Sequence, residues 1–280
     1  MDRLVWKAGP HQLDCSSRTL VMGIINVTPD SFSDGGRYLD HEAAVAHGIA
    51  LAREGADILD VGGESTRPGS DPVTPAEEVD RVLPVVKRLA AETPAPISID
   101  TRRAEVARAA VDAGASIVND VSAGRDPEMF EAVRASGAGL VLMHMHGEPK
   151  TMQDEPLDRD VVRIVRDALA ERVSAAEEEG VPRDRLAIDP GLGFGKTSEG
   201  SLRLMREVDA FLDLSLPVVV GPSRKSFIGM ALGDLPVDER LEGTAGAVAY
   251  LASRGAHVIR VHDVREMVRV VRVVDAITRA

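Results

Sequence analysis

Residues 97–120, ISIDTRRAEVARAAVDAGASIVND, hold one whole repeating unit of this chain. A short apolar run stops on Asp100, an Ala- and Val-rich stretch runs from Arg103 to Ala113, Gly114 ends it, and a second apolar run stops on Asn119. Apolar residues spaced at three and four predict a helix, and a glycine just past them marks its C-terminus. The flanking runs read as parallel strands buried on both faces. Such a strand should be apolar throughout, so a polar residue at its end implies something lying beyond that end.

The unit recurs in both directions. The runs VMGII, DILDV, ISI, SIVN, GLVLM, LAI, PVVV and HVIRV predict eight strands, which stop at or beside Asn26, Glu64, Asp100, Asn119, His144, Asp189, Arg224 with Lys225, and His262. Helices are expected over 41–53, 76–91, 103–113, 128–136, 158–179, 198–211, 240–254 and 263–278, with Gly55, Gly114, Gly137, Gly180 and Gly255 as stop signals. Eight strands alternating with eight helices suit either a doubly wound sheet or a closed barrel. In an open sheet only the strands beside a switch point need carry site residues, whereas here almost all do, which favours a (β/α)8 TIM barrel with its mouth at the C-terminal strand ends. The first twenty residues fall outside the alternation. Turn signals at Gly9, Pro10 and 16–18 predict a small hairpin closing the opposite end, and 1–280 is read as a single domain.

Composition narrows the function. The 280 residues are 44% hydrophobic, enough for a large core, and 33 basic against 45 acidic residues give a net charge of −12. That balance opposes a sequence-independent grip on nucleic acid or an anionic membrane. The lone Cys15 permits no intrachain disulfide or cysteine metal cluster; with no basic-then-apolar leader and no run long enough for a bilayer, the cytoplasm is the expected compartment.

The loops past the strand ends carry the chemistry. NVTPDSFSDGG (26–36) is long for a βα loop; it is either a solvated connection or a segment that folds over a ligand with Asp34, while Asn26 offers a side-chain amide to a hard cation or a phosphate. GGESTRPG (62–69) offers a hydroxyl in Thr66 and a planar cation in Arg67, stiffened by Pro68; a solvated turn Arg is the plain alternative. Asp100, Asn119 and Asp189 end three strands and would converge in one mouth, where carboxylates are costly unless paired or ligand-bound. They suit a flat heterocycle with an amidine-like edge, although Asp100 could instead cap the following helix. DPGLGFGK (189–196) lacks dinucleotide-fingerprint spacing; its glycines let Phe194 line a pocket, and Lys196 reads as a solvated loop charge. GPSRKS (221–226) and IRVHDV (259–264) bring Ser223, Arg224, Lys225, Ser226, Arg260 and His262 to the last two strand ends, where barrels often hold phosphate. His144 and His146 lack a further ligand at metal spacing nearby.

With those residues assembled, the chain resembles the dihydropteroate synthases of folate biosynthesis from about Val21 to Val274, through NVTPDSFSDGG, GGESTRPG, SIDT, VNDVS, LMHMHGEPKTMQ, DPGLGFGK, SRKS and RVHDV in family order. The resemblance implies condensation of 6-hydroxymethyl-7,8-dihydropterin diphosphate with 4-aminobenzoate, with Mg2+, in a homodimer. It implies that Asp100, Asn119, Met143, Asp189, Lys225 and Arg260 hold the pterin, and that Asn26, Arg67, Arg260 and His262 hold the diphosphate, Asn26 with the metal. Thr66, Arg67, Pro68, Phe194, Lys225 and Ser226 would frame the aminobenzoate, Asp34 would serve loop closure, and Asp100, Asp189, Lys225, Arg260 and His262 form the catalytic set. A pterin-binding methyltransferase domain of a corrinoid system is the alternative, though it would not need Arg67 and His262. A Schiff-base aldolase using Lys225 and a barrel without activity are further readings.

Overall fold

The computed structural model describes residues 3–28, 36–65, 73–148 and 150–280. A hairpin of β1 (Val5–Ala8) and β2 (His11–Asp14) precedes β3 (Leu20–Asn26) and α1 (Gly36–Glu54). Then follow β4 (Ile58–Gly62), α2 (Pro75–Glu92), β5 (Ile97–Asp100), α3 (Ala104–Asp112), β6 (Ile117–Asp120), α4 (Met129–Ser136), β7 (Gly139–Met143) and α5 (Val161–Glu178). The chain ends with β8 (Leu186–Asp189), α6 (Ser198–Arg206), β9 (Val219–Val220), α7 (Ser226–Ala231), α8 (Leu241–Ser253), β10 (Val258–Val261) and α9 (Val264–Thr278). Strands β3 to β10 pair in parallel in the order β8-β7-β6-β5-β4-β3-β10-β9. A parallel bridge from Ile188 to Val218, with the Ile188 N–H donating to the Pro217 carbonyl at 2.9 Å, closes the ring. The expected (β/α)8 barrel is the observed fold. No described helix is long and apolar enough to cross a membrane.

Local differences have local causes. The helix expected over 198–211 ends at Arg206 and continues as 3-10 turns over 208–214. Helix α7, six residues long, was not expected because so short a stretch cannot display a helical period. Gly137 behaves as the stop signal requires: it sits at φ 75° past α4, and its N–H donates to the Val133 carbonyl at 2.9 Å.

Alternation along the strands sorts two cores. Val21, Ile25, Leu59, Val61, Ile99, Val118, Leu140 and Leu142 pack outward with the helices. Leu20, Met22, Ile58, Ile117, Val141, Ala187, Val219 and Val258 fill the barrel's lower interior together with Trp6, Ala8 and Cys15 of the N-terminal segment. Two residues further up four of the strands the same inward side changes character: Ile58 gives way to Asp60, Ile117 to Asn119, Ala187 to Asp189 and Val258 to Arg260. A dry floor therefore lies directly beneath a polar layer.

The hairpin seals that floor, as expected. Trp6 is fully buried and its indole N–H donates to the Arg185 carbonyl at 2.9 Å, which satisfies the one polar atom of a large apolar group. Gly139 makes the approach possible, because a Cβ there would meet Ala8 and the Trp6 indole nitrogen at 3.1 Å. Trp6→Ala should destabilise the fold by about 3–5 kcal/mol in urea unfolding. A loss below about 1 kcal/mol would show that the hairpin is not part of the cooperative core.

Candidate active site

The strand ends lie in register. Asn26 pairs with Gly62, Gly62 with Asp100 and Asp100 with Asn119, while Met143 pairs with Asp189 on the adjacent strands β7 and β8. Gly62 carries no side chain beside Asp100; a Cβ there would lie in ordinary contact, 3.5 Å from the Asp100 Cβ and 3.8 Å from its Oδ2. Backbone hydrogen bonding thus brings Asn26, Asp100, Asn119 and Asp189 to one mouth.

Arg260 rises into the centre of this polar layer. Its Nε donates to Asp60 Oδ2 at 2.6 Å and its Nη2 to Asp100 Oδ2 at 2.7 Å. Asp60 Oδ2 also accepts from Asn119 Nδ2 at 3.2 Å, and Asp60 Oδ1, fully buried, has no partner among the described residues. Burial opposes the guanidinium's charge, but Asp60 and Asp100 outweigh it and hold Arg260 above its ordinary range. Two carboxylates share one cation. Burial pushes the Asp100 carboxyl up to about 7, against the pull of Arg260 and with the like charge of Asp60 adding to the rise.

Asp60 was missed in the sequence, where DILDV reads as one apolar run. The available signal was strand parity: an acid two residues past Ile58 faces the same interior as Arg260, two residues past Val258. Asp100 is no helix cap. The Ala104 N–H at the start of α3 donates to Asp126 Oδ2 at 2.8 Å instead.

Asp189 is buried, which raises its carboxyl, while the Gly191 N–H, Lys225, Arg260 and Lys196 all act in the opposite direction. That N–H donates to Asp189 Oδ1 at 2.7 Å. Lys225, the residue before α7, donates to the Leu192 carbonyl and holds its ammonium 4.3 Å from the centre of the Phe194 ring. Burial lowers Lys225 to about 8, with Asp189 opposing. Phe194 packs against the small apolar cluster of Val121, Met143, Met145 and Met152, so Met143 and Phe194 line one wall. On β10's far end, His262 Nδ1 lies 3.0 Å from Ser223 Oγ, and its backbone N–H donates to the same oxygen at 3.3 Å. Ser226 opens α7 in an exposed position. Asp34, Thr66, Arg67 and Pro68 lie outside the described residues.

Three charged residues differ from their reading in sequence. Lys196 is no solvated loop charge: it is 2% exposed and donates to the His144 and Gly191 carbonyls. Arg224 turns to Asp263, its Nε donating at 3.0 Å, and so is engaged outside the polar layer. Glu64 accepts from Arg102 and Arg103 beside buried Glu78, an ion network at the start of α3. His144 is half-buried, and its loss of hydration together with Lys196 pushes its ring down to about 3, leaving it neutral. Among the described residues no group of three His, Cys, Asp or Glu side chains is arranged to hold a metal ion.

Residues 22–262 match the pterin binding enzyme family. A dihydropteroate synthase of Synechocystis is 42% identical over 272 residues, covering 97% of this chain and 94% of its own. The chain belongs to the dihydropteroate synthases. The Xanthomonas albilineans dihydropteroate synthase solved with 4-aminobenzoic acid is 46% identical, covers 100% of both chains and superposes with a TM-score of 0.93. The enzyme of the same organism in complex with 7,8-dihydropteroate is 43% identical over 99% of each chain, with a TM-score of 0.89. As in any dihydropteroate synthase of this similarity, the chain is a transferase on a TIM barrel.

The raised Asp100 carboxyl has a measurable cost. Its folded pKa of about 7 lies above the unfolded value, so between about pH 4 and 7 the folded state binds more protons, and stability falls as pH rises through that window. Asp100→Asn should therefore lose less stability than the wild type between pH 5 and pH 7.5 in denaturant unfolding. Equal losses would contradict the assignment.

Proposed function

We propose that this chain condenses 6-hydroxymethyl-7,8-dihydropterin diphosphate with 4-aminobenzoate, giving 7,8-dihydropteroate and pyrophosphate. The observation that carries this reading is the convergence of Asp100, Asn119 and Asp189 with Arg260 and Lys225 above an apolar floor. A carboxylate facing an amidine edge makes two parallel hydrogen bonds, the recognition a pterin requires. Asp189, Asp100 and Asn119 take its polar edge, with Met143, Lys225 and Arg260 completing the pocket. Asn26, Arg67, Arg260 and His262 take the diphosphate. Thr66, Arg67, Pro68, Phe194, Lys225 and Ser226 frame the aminobenzoate, and Asp34 serves loop closure. Solved relatives carrying 4-aminobenzoic acid and 7,8-dihydropteroate support both halves of the assignment.

The chemistry asks little of acids and bases. The CH2–O bond breaks with its electron pair leaving on the diphosphate, the arylamine lone pair forms the new C–N bond, and the amine proton is released to solvent. Cations near the leaving group and carboxylates near the electron-poor ring lower the barrier as charge separates. Asn26 offers a single amide oxygen at the mouth, a donor set that suits Mg2+ carried in on a diphosphate with phosphate and water filling most of its shell. When bound, Mg2+ would neutralise charge on the departing diphosphate. Lys225, charged below about pH 8, adds a cation between Asp189 and the Phe194 ring.

We place the enzyme in the cytoplasm as a homodimer. Leu241 on α8 with Val273 and Ile277 on α9 expose apolar area that a second copy would cover.

The test is pyrophosphate release. It should require both dihydropterin diphosphate and 4-aminobenzoate and be blocked by a sulfonamide. Release without the arylamine, or none with both substrates and Mg2+, would contradict the proposal.

A further inference from the structure

The turn after β8, DPGLGFGK (189–196), begins with Asp189, contains Phe194 and ends on Lys196. A buried ammonium gives up hydration worth several kcal/mol, so it persists only where dipoles and a counter-charge replace the water. Lys196 has both. Its Nζ donates to the His144 carbonyl at 2.7 Å and to the Gly191 carbonyl at 2.8 Å, and although burial pushes the ammonium well below its ordinary range, with Lys225 adding to the fall, Asp189 supplies the opposite charge that favours it.

Those carbonyls lie on the seam where the turn meets the chain leaving β7. The His144 N–H donates to the Asp189 carbonyl at 2.9 Å, and the His146 N–H to the Phe194 carbonyl at 3.4 Å. Gly191, at φ +66°, approaches so closely that a Cβ would stand 2.0 Å from the His144 oxygen. No side chain fits between the two backbones, and the lysine reaches the seam from the turn's far end. Gly191 is also the residue whose N–H donates to Asp189 Oδ1 at 2.7 Å. Fixing its carbonyl therefore fixes the peptide beside the one that aims the carboxylate.

We infer that Lys196 is a positioning residue for the pterin site, acting through Asp189: it locks the turn against the β7 exit and places a buried positive charge behind the carboxylate that faces the pterin. The inference rests on the reading of Asp189 as a pterin ligand.

Asp100, raised to about 7, and Lys225, lowered to about 8, titrate in the same site in wild type and variants alike, so the loss of Lys196 is read as the displacement of the variants' profile from that of the wild type. Asp189 faces Lys225, Arg260 and Lys196; Lys196 faces Asp189 and Lys225. His144 is lowered to about 3 by burial first and by Lys196, His146 and Arg125 after it, and burial, the largest cause, remains when Lys196 is replaced.

The experiment is calorimetric titration with dihydropterin diphosphate from pH 5 to pH 9, on wild type, Lys196→Met and Lys196→Gln, with kcat measured alongside. Without the charge, less opposes burial's upward push on Asp189, and pterin affinity is lost as pH falls through the raised pKa. Both variants should bind about tenfold more weakly near neutrality, with the acidic limb of affinity moved up by about one pH unit and kcat within about threefold of wild type. Gln keeps a donor for the seam, so Lys196→Gln carries the test where Lys196→Met does not fold. Wild-type affinity in the variants, a loss of affinity with an unmoved acidic limb, or failure of both variants to fold would each overturn the inference. Failure of the wild type to bind dihydropterin diphosphate would overturn the functional reading instead.

Discussion

One guanidinium shared between the buried Asp60 and the largely buried Asp100 organises this molecule's interior. Arg260 could not be buried in an apolar barrel alone, and Asp60 and Asp100 could not be buried there without it. Removing one member of such a set typically costs about 3–5 kcal/mol, because the charge left behind is uncompensated. The set does not neutralise itself. Two acids against one cation leave an acid in excess, the property that the proposed function assigns to recognition of an electron-poor ring.

Strand parity supplies the platform. The inward residues of the lower barrel are apolar and sealed by Trp6, and two residues up β4, β6, β8 and β10 the same face becomes polar. Because register is fixed by backbone hydrogen bonds, Asn26, Gly62, Asp100 and Asn119 stand side by side whatever their side chains prefer. The late strand ends add Lys225 over Phe194 and His262 beside Ser223. On the proposed reading the acids of the mouth take the ring and the late strand ends take the leaving group.

Much of this was legible in sequence. Eight apolar runs ending on reactive residues gave the barrel and its mouth, and turn signals before Leu20 gave the hairpin. Asp60 escaped because reading a run as apolar hides which face each residue takes. Lys196 escaped for a different reason: its burial depends on two carbonyls, His144 and Gly191, which only the folded seam brings together. Arg224 looked like a free cation because Asp263, its partner, lies 39 residues away along the chain. Short-range pattern reveals elements and strand ends; pairing across the barrel requires parity and register.

The central claim is that Asp60 and Arg260 act as one unit in holding the pterin diphosphate. A double-mutant cycle of Asp60→Asn and Arg260→Lys, read in dihydropterin diphosphate affinity by calorimetry, tests it most directly. The account predicts a coupling of at least about 1 kcal/mol, as for residues sharing one ion network. Additivity within about 0.3 kcal/mol would contradict it.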